Sequence, residues 1–159
     1  ILADNTVEEL KYIHAVYDLA KEQGDVTDSS YEALEKRWKD ENAERSEKVE
    51  KGEVIYGLKE YTFQLYLDYE ISTLKEKYCN DTNREGMKLT EDEIQEHYQS
   101  REWIFGDSDE NADLEMARIA VERELREQKY DDMITQRETD SQVAGNMENV
   151  NRLTLKNIQ

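Results

Sequence analysis

The chain has 159 residues, 36% hydrophobic and 38% charged, with 39 acids against 21 bases and a formal net charge of −18. That balance excludes nucleic acid as a partner, because a phosphate backbone would be repelled and no basic stripe interleaved with aromatics opposes the repulsion; it also disfavours an anionic membrane surface. A single cysteine, Cys79, excludes an internal disulfide and a thiolate metal cluster, and no apolar run reaches the ~20 residues of a membrane span.

A chain of this length can bury roughly 70% of its unfolded surface. It contains no proline and only six glycines, and its apolar residues recur at helical spacing, so the predicted fold class is all-α. The expected architecture is an irregular domain of about five helices with one long C-terminal helix. Thr6-Val7-Glu8-Glu9 reads as a capping box opening the first helix, whose stripe is Leu10, Ile13, Tyr17 and Ala20. That helix should stop near Gly24. Residues 26–30 restart the chain, and Tyr31, Leu34 and Trp38 form the next apolar stripe. From Lys39 to Lys51 the second helix turns polar, so it either projects from the body or relies on i,i+4 pairs such as Glu44 with Lys48.

Gly52-Glu53-Val54-Ile55-Tyr56-Gly57 is a glycine-bracketed turn with an apolar centre. A third helix is predicted from about Leu58 to Tyr78, with Tyr61, Phe63, Tyr66 and Tyr69 widening its apolar face, as in a helix central to a core. Leu89-Thr90-Glu91-Asp92-Glu93-Ile94 then writes a helix start at nearly every position that can specify one. Thr90 and Glu93 form a capping box, Leu89 and Ile94 a hydrophobic staple, and the acids oppose the positive end of the helix dipole. The last long helix runs from about Ala112 to Thr139. Residues 1–145 are expected to form one helical domain and 146–159 a tail, either disordered or a short terminal strand through Val150, Leu153 and Leu155.

The stretch Ala20 to Asp28, the turn Tyr56-Gly57 with Tyr66, Tyr69 and Leu74, the joint Leu89 to Ile94 with Tyr98, and the closing segment Val121 to Ile134 follow one another in a familiar order. Together they resemble the helical chaperone domain of SurA-type and PrsA-type bacterial foldases. In that family a parvulin-type prolyl isomerase domain is commonly inserted between the joint helix and the closing helix. Here only Gln99 to Asn111 lies there, and the chain owns only His14 and His97, so isomerase activity is not expected. The resemblance implies an ATP-independent chaperone-like domain that binds unfolded or partly folded polypeptides, acting outside the cytoplasm at the cell surface or in the periplasm. Because the sequence starts at Ile1 without a methionine, an upstream signal or membrane anchor is left open, as is a homodimer.

Such a domain needs exposed apolar and aromatic surface, and tyrosine suits it by joining a rigid ring to an adaptable hydroxyl. The client-binding candidates are Tyr61, Tyr66 and Tyr69, with Trp38 and Trp103 as larger anchors. Core packing is the commoner reading of each of these rings, and both readings predict the same helical spacing.

No catalytic residue, metal site or cofactor is predicted. Residues 107–113 imitate half of a calcium loop, but Ala112 stands where the sharp turn needs glycine and Arg118 where the closing glutamate belongs. His14 and His97 lack a second histidine at ligand spacing. Cys79 has no basic neighbourhood beyond Lys77, and no glycine-rich phosphate loop occurs. The second function class compatible with these residues is a helical interaction or scaffold module for one specific folded partner, or for itself.

Overall fold

The computed structural model describes residues 2–107 and 109–140, with side chains from Val7 onward. Among them are five helices and no strand: α1 (Leu2–Glu22), α2 (Tyr31–Glu50), α3 (Phe63–Asn80), α4 (Glu91–Gln99) and α5 (Leu114–Asp140). The protein is all-α with a long closing helix of 27 residues. The tail 146–159, with its candidate strand, lies outside the described residues. No helix among the described residues is long and apolar enough to cross a membrane.

The chain divides into two compact units. Among the described residues, one comprises those up to Leu74 together with 137–140; the other is Lys75–Gln136. The division falls within α3 and again within α5.

In the first unit, α1 ends in a left-handed turn at Gly24 (φ +73°). The Asp25 N–H donates to the Ala20 carbonyl at 2.8 Å and the Gly24 N–H to the Lys21 carbonyl at 3.0 Å, satisfying carbonyls the helix leaves open. The same arrangement closes α2 at Gly52 (φ +72°), where Glu53 N–H reaches the Lys48 carbonyl and Gly52 N–H the Val49 carbonyl. The Ser30 hydroxyl caps α2 by accepting from the Ala33 N–H. The polar half of α2 carries the expected i,i+4 pairs, Glu44 with Lys48, Glu41 with Arg45 and Glu47 with Lys51. Val16, Tyr17, Leu19, Val26, Leu34, Tyr66, Leu67 and Leu74 are the larger residues of the buried interior here.

Two boundaries differ from expectation. α1 begins at Leu2, so Thr6 lies inside the helix; no breaker precedes it, and a Thr-x-x-Glu pattern permits a start without forcing one. α3 begins at Phe63 rather than near Leu58. The Asn42 side chain engages both backbone groups of Tyr61, accepting its N–H at 2.8 Å and donating to its carbonyl at 2.8 Å, which keeps Tyr61 out of the ladder. Thr62 then supplies the cap, its hydroxyl accepting from the Leu65 N–H at 3.3 Å.

In the second unit the capping box of α4 is present in full: Thr90 N–H donates to Glu93 Oε2 at 2.7 Å and Glu93 N–H to Thr90 Oγ1 at 3.3 Å. Ile94 packs with Trp103, Ala112, Ala117 and Val121, and Leu89 joins that cluster as the staple predicts. A second interior set places Tyr78 against Tyr130 with ring centroids 5.3 Å apart, alongside buried Met87 and Ile134.

Candidate interaction surface

The first unit concentrates its aromatic and polar machinery between α2 and α3. Trp38, Asn42 and Arg45 recur at i, i+4 and i+7, which puts them on one face of α2. The Trp38 indole N–H donates to the Tyr61 carbonyl at 2.7 Å, beside the Asn42 bonds described above. Arg45 donates to the carbonyls of Tyr56 (3.0 Å) and Leu58 (2.8 Å), and its guanidinium lies 4.6 Å from the centroid of the Tyr61 ring. The connection between α2 and α3 therefore has no regular structure, yet its backbone is fixed by three side chains of one helix.

On α3 the rings continue that arrangement. Tyr61 stacks on Tyr69 with centroids 5.4 Å apart and planes 17° apart, and meets Tyr66 edge-on at 6.3 Å. Beneath them Glu70 forms a polar hub. Its carboxylate accepts from the Tyr17 hydroxyl (2.5 Å), the Tyr66 hydroxyl (3.0 Å) and the Arg37 guanidinium (2.7 and 3.1 Å). Burial, reinforced by the adjacent carboxylate, pushes both tyrosine hydroxyls well above their usual pKa. Burial works against the charge of Arg37, but the hydrogen bond and attraction to Glu70 outweigh it and raise the pKa of that guanidinium.

Of the residues the sequence singled out, Trp38, Tyr61, Tyr66 and Tyr69 come together here. Tyr66 is 6% exposed, Trp38 and Tyr61 are half-buried, and Tyr69 is 45% exposed. Trp103 belongs to the second unit and is 2% exposed. Its indole N–H donates to the Tyr98 carbonyl at 3.0 Å, and the Arg101 guanidinium covers its ring at 3.8 Å. Tyr66 and Trp103 thus fill interior positions.

Apart from Tyr69, the residues that present apolar area lie outside the candidate set. Tyr56 is 87% exposed and Val54 78%, with Leu58 and Leu65 about half exposed near the tyrosine stack. In the second unit Ile104, Phe105, Met116 and Ile119 are exposed. The apolar centre of the glycine-bracketed turn was the available signal, since a loop has no second face on which to bury such residues.

Chemistry finds little support in this geometry. No group of three metal-ligating side chains occurs among the described residues. Asn111 accepts from the Trp103 N–H at 2.5 Å, and Asp113 caps α5 by accepting from the Met116 N–H at 2.9 Å, so two carboxylate or amide groups of the calcium-like stretch serve the backbone. His97 Nε2 lies 3.3 Å from Glu124 without the alignment of a hydrogen bond, and its ring meets Trp103 edge-on. Cys79 is buried, which pushes its thiol up to about 11. An apolar cleft against Tyr17, Leu34 and Phe63 holds about 70 Å³, below the ~300 Å³ at which small-molecule pockets begin. The arrangement suits recognition of a surface.

No family model matches the chain. Over 136 residues it is 32% identical to a chaperone for lacto-N-biosidase from Bifidobacterium longum subsp. longum, an alignment covering 86% of this chain and 49% of that protein. The chain therefore spans about half the length of that relative. Among solved structures, the native GH136 lacto-N-biosidase from Eubacterium ramulus shares the fold, with a TM-score of 0.70 and 19% identity over 89% of this chain and 28% of that one.

These likenesses overturn the SurA-type and PrsA-type resemblance. The caps and tyrosine-bearing helices that carried it are real, but they are generic devices for starting and packing helices, and their order alone does not specify a foldase. The expected extracytoplasmic location drew on that resemblance and loses its support with it. The relative is named as a chaperone and not as an enzyme, in line with a chain that does no catalysis of its own.

Proposed function

We propose that this chain is a chaperone dedicated to one glycoside hydrolase of the lacto-N-biosidase kind, the specific folded partner of the second sequence reading. The observation that carries this is the 32% identity to a chaperone for lacto-N-biosidase, sustained over 86% of the chain. A further support is that the same fold recurs within 28% of a lacto-N-biosidase chain, where it must coexist with folded enzyme. Physical character agrees. A holder of varied clients benefits from an adaptable surface, whereas one partner is best met by a preorganised one, and here the loop beneath Tyr56 and Leu58 is pinned by Arg45, Asn42 and Trp38. The net charge of −18 favours solubility and steers approach toward basic faces.

The test is co-expression of the Bifidobacterium longum lacto-N-biosidase with and without this chain, scoring soluble, active hydrolase, beside aggregation assays on unrelated unfolded clients. A rise in active hydrolase with little protection of the unrelated clients is expected. No rise, or equal protection of every client, overturns the dedicated reading.

A further inference from the structure

We infer that the hydrolase docks on the surface formed by Tyr56 and Leu58 of the α2–α3 connection and by Leu65 and Tyr69 of α3, presenting to it apolar side chains within a basic rim. This rests on the dedicated-chaperone reading above and assigns the contact to one face of the molecule.

The surface is continuous through stated contacts. Tyr69 stacks on Tyr61, Tyr61 lies under the Arg45 guanidinium, and Arg45 holds the carbonyls of Tyr56 and Leu58. Exposed apolar side chains are thus carried on a fixed backbone, the arrangement that costs least to order on binding. Large rings and branched chains that find no cover in their own fold are the usual anchors of a protein interface.

Charge selects the occupant. Glu53 and Glu60 flank the Tyr56–Leu58 stretch in sequence, Asp68 directly precedes Tyr69, and all three are exposed, against one exposed base, Lys59. The border is therefore net negative on a chain of net charge −18. A second copy would bring like charge to that border, whereas a partner with arginine or lysine around an apolar centre would complete it.

The experiment uses the full chain with the Bifidobacterium longum lacto-N-biosidase, measuring affinity and the yield of active hydrolase. The variants are Tyr56→Ser with Leu58→Ser, the rim variant Glu60→Lys, and a control pair, Met116→Ser with Ile119→Ser, on the exposed residues of the second unit. Far-UV circular dichroism checks that helix content is retained. The loop pair is expected to weaken binding at least tenfold, and Glu60→Lys severalfold. The control pair should stay within threefold of the parent, and raising salt should weaken the parent complex. Parent-like binding by the loop pair, an equal loss in the control pair, or a parent chain that self-associates through Tyr56 would overturn the assignment. A parent chain that neither binds the hydrolase nor raises its yield is a different result: it removes the function proposed above.

Discussion

Glu70 offers a test of what the first unit depends on. Replacing it with leucine leaves the Arg37 guanidinium and the Tyr17 and Tyr66 hydroxyls without their shared acceptor. Removing one partner of a buried charge pair costs about 3–5 kcal/mol. The Glu70 side chain is 12% exposed and that of Arg37 26%, so water can reach the arginine and the lower end applies, about 3 kcal/mol. For a chain of this size that corresponds to a fall in Tm of roughly 6–12 °C. Urea and thermal unfolding followed by circular dichroism measure it. A companion with Glu70→Leu, Arg37→Met and Tyr17→Phe strands no charge and leaves only the Tyr66 hydroxyl without its acceptor, so it should recover part of the loss and lie within about 2 kcal/mol of the parent. A loss below about 1 kcal/mol in the single variant, or a triple variant at least as unstable as the single, would refute the argument that stranded polar groups set the cost.

Thr90→Ala should cost about 1 kcal/mol by opening the capping box, read as lost protection of α4 amides in hydrogen exchange. The Lys129 hydrogen bond, with the Thr90 N–H and hydroxyl, holds the Glu93 carboxyl down to about 2. Since the folded pKa lies below the unfolded one, this support is present above about 4.5 and is lost as pH falls toward 2; Glu93→Gln should flatten that part of an acid-unfolding curve. At the other limb, the raised pKa of Tyr17 means the unfolded chain releases its proton first. Stability should therefore fall as pH rises above about 10, and Tyr17→Phe should lessen the fall in alkaline urea titrations. Ile134, 1% exposed, should cost about 2–5 kcal/mol as Ile134→Ala and much less as Ile134→Val, measured by equilibrium unfolding. The Cys79 thiol, at about 11, should resist alkylation near pH 8 in the native chain and react once denaturant opens the second unit.

Helix starts and stops were legible where a side chain and the backbone agree locally. Thr90 with Glu93 and the left-handed turn at Gly24 are complete within a few residues, so sequence alone contains them. The start of α3 was not legible, because Asn42 fixes Tyr61 from 19 residues away. The candidate surface divided in the same way. Tyr61, Tyr66 and Tyr69 do meet, but Tyr61 reaches the other two from outside α3, and spacing cannot say which ring faces inward; the acceptor at Glu70 draws the Tyr66 hydroxyl under the stack while Tyr69 stays outside. The size of Trp103 suggests an anchor, yet a large ring with a donor is satisfied equally well inside, on the Tyr98 carbonyl. Tyr56 sits in a turn, outside any periodic stripe, so helical spacing does not mark it.

The way the chain threads its two units bears on the order in which they can form. Lys75–Gln136 is contiguous, so its closures are available as soon as that stretch leaves the ribosome. The other unit is interrupted: the ion pair from Arg137 to Glu22 spans 115 residues, a separation whose closure in an unstructured chain costs about 4 kcal/mol. If the intervening stretch has already folded, the ends of that long loop are brought closer and the cost falls. Synthesis would then complete the contiguous unit before the interrupted one, and a ribosome stalled just short of Arg137 would leave the first unit unfinished when the second is already complete.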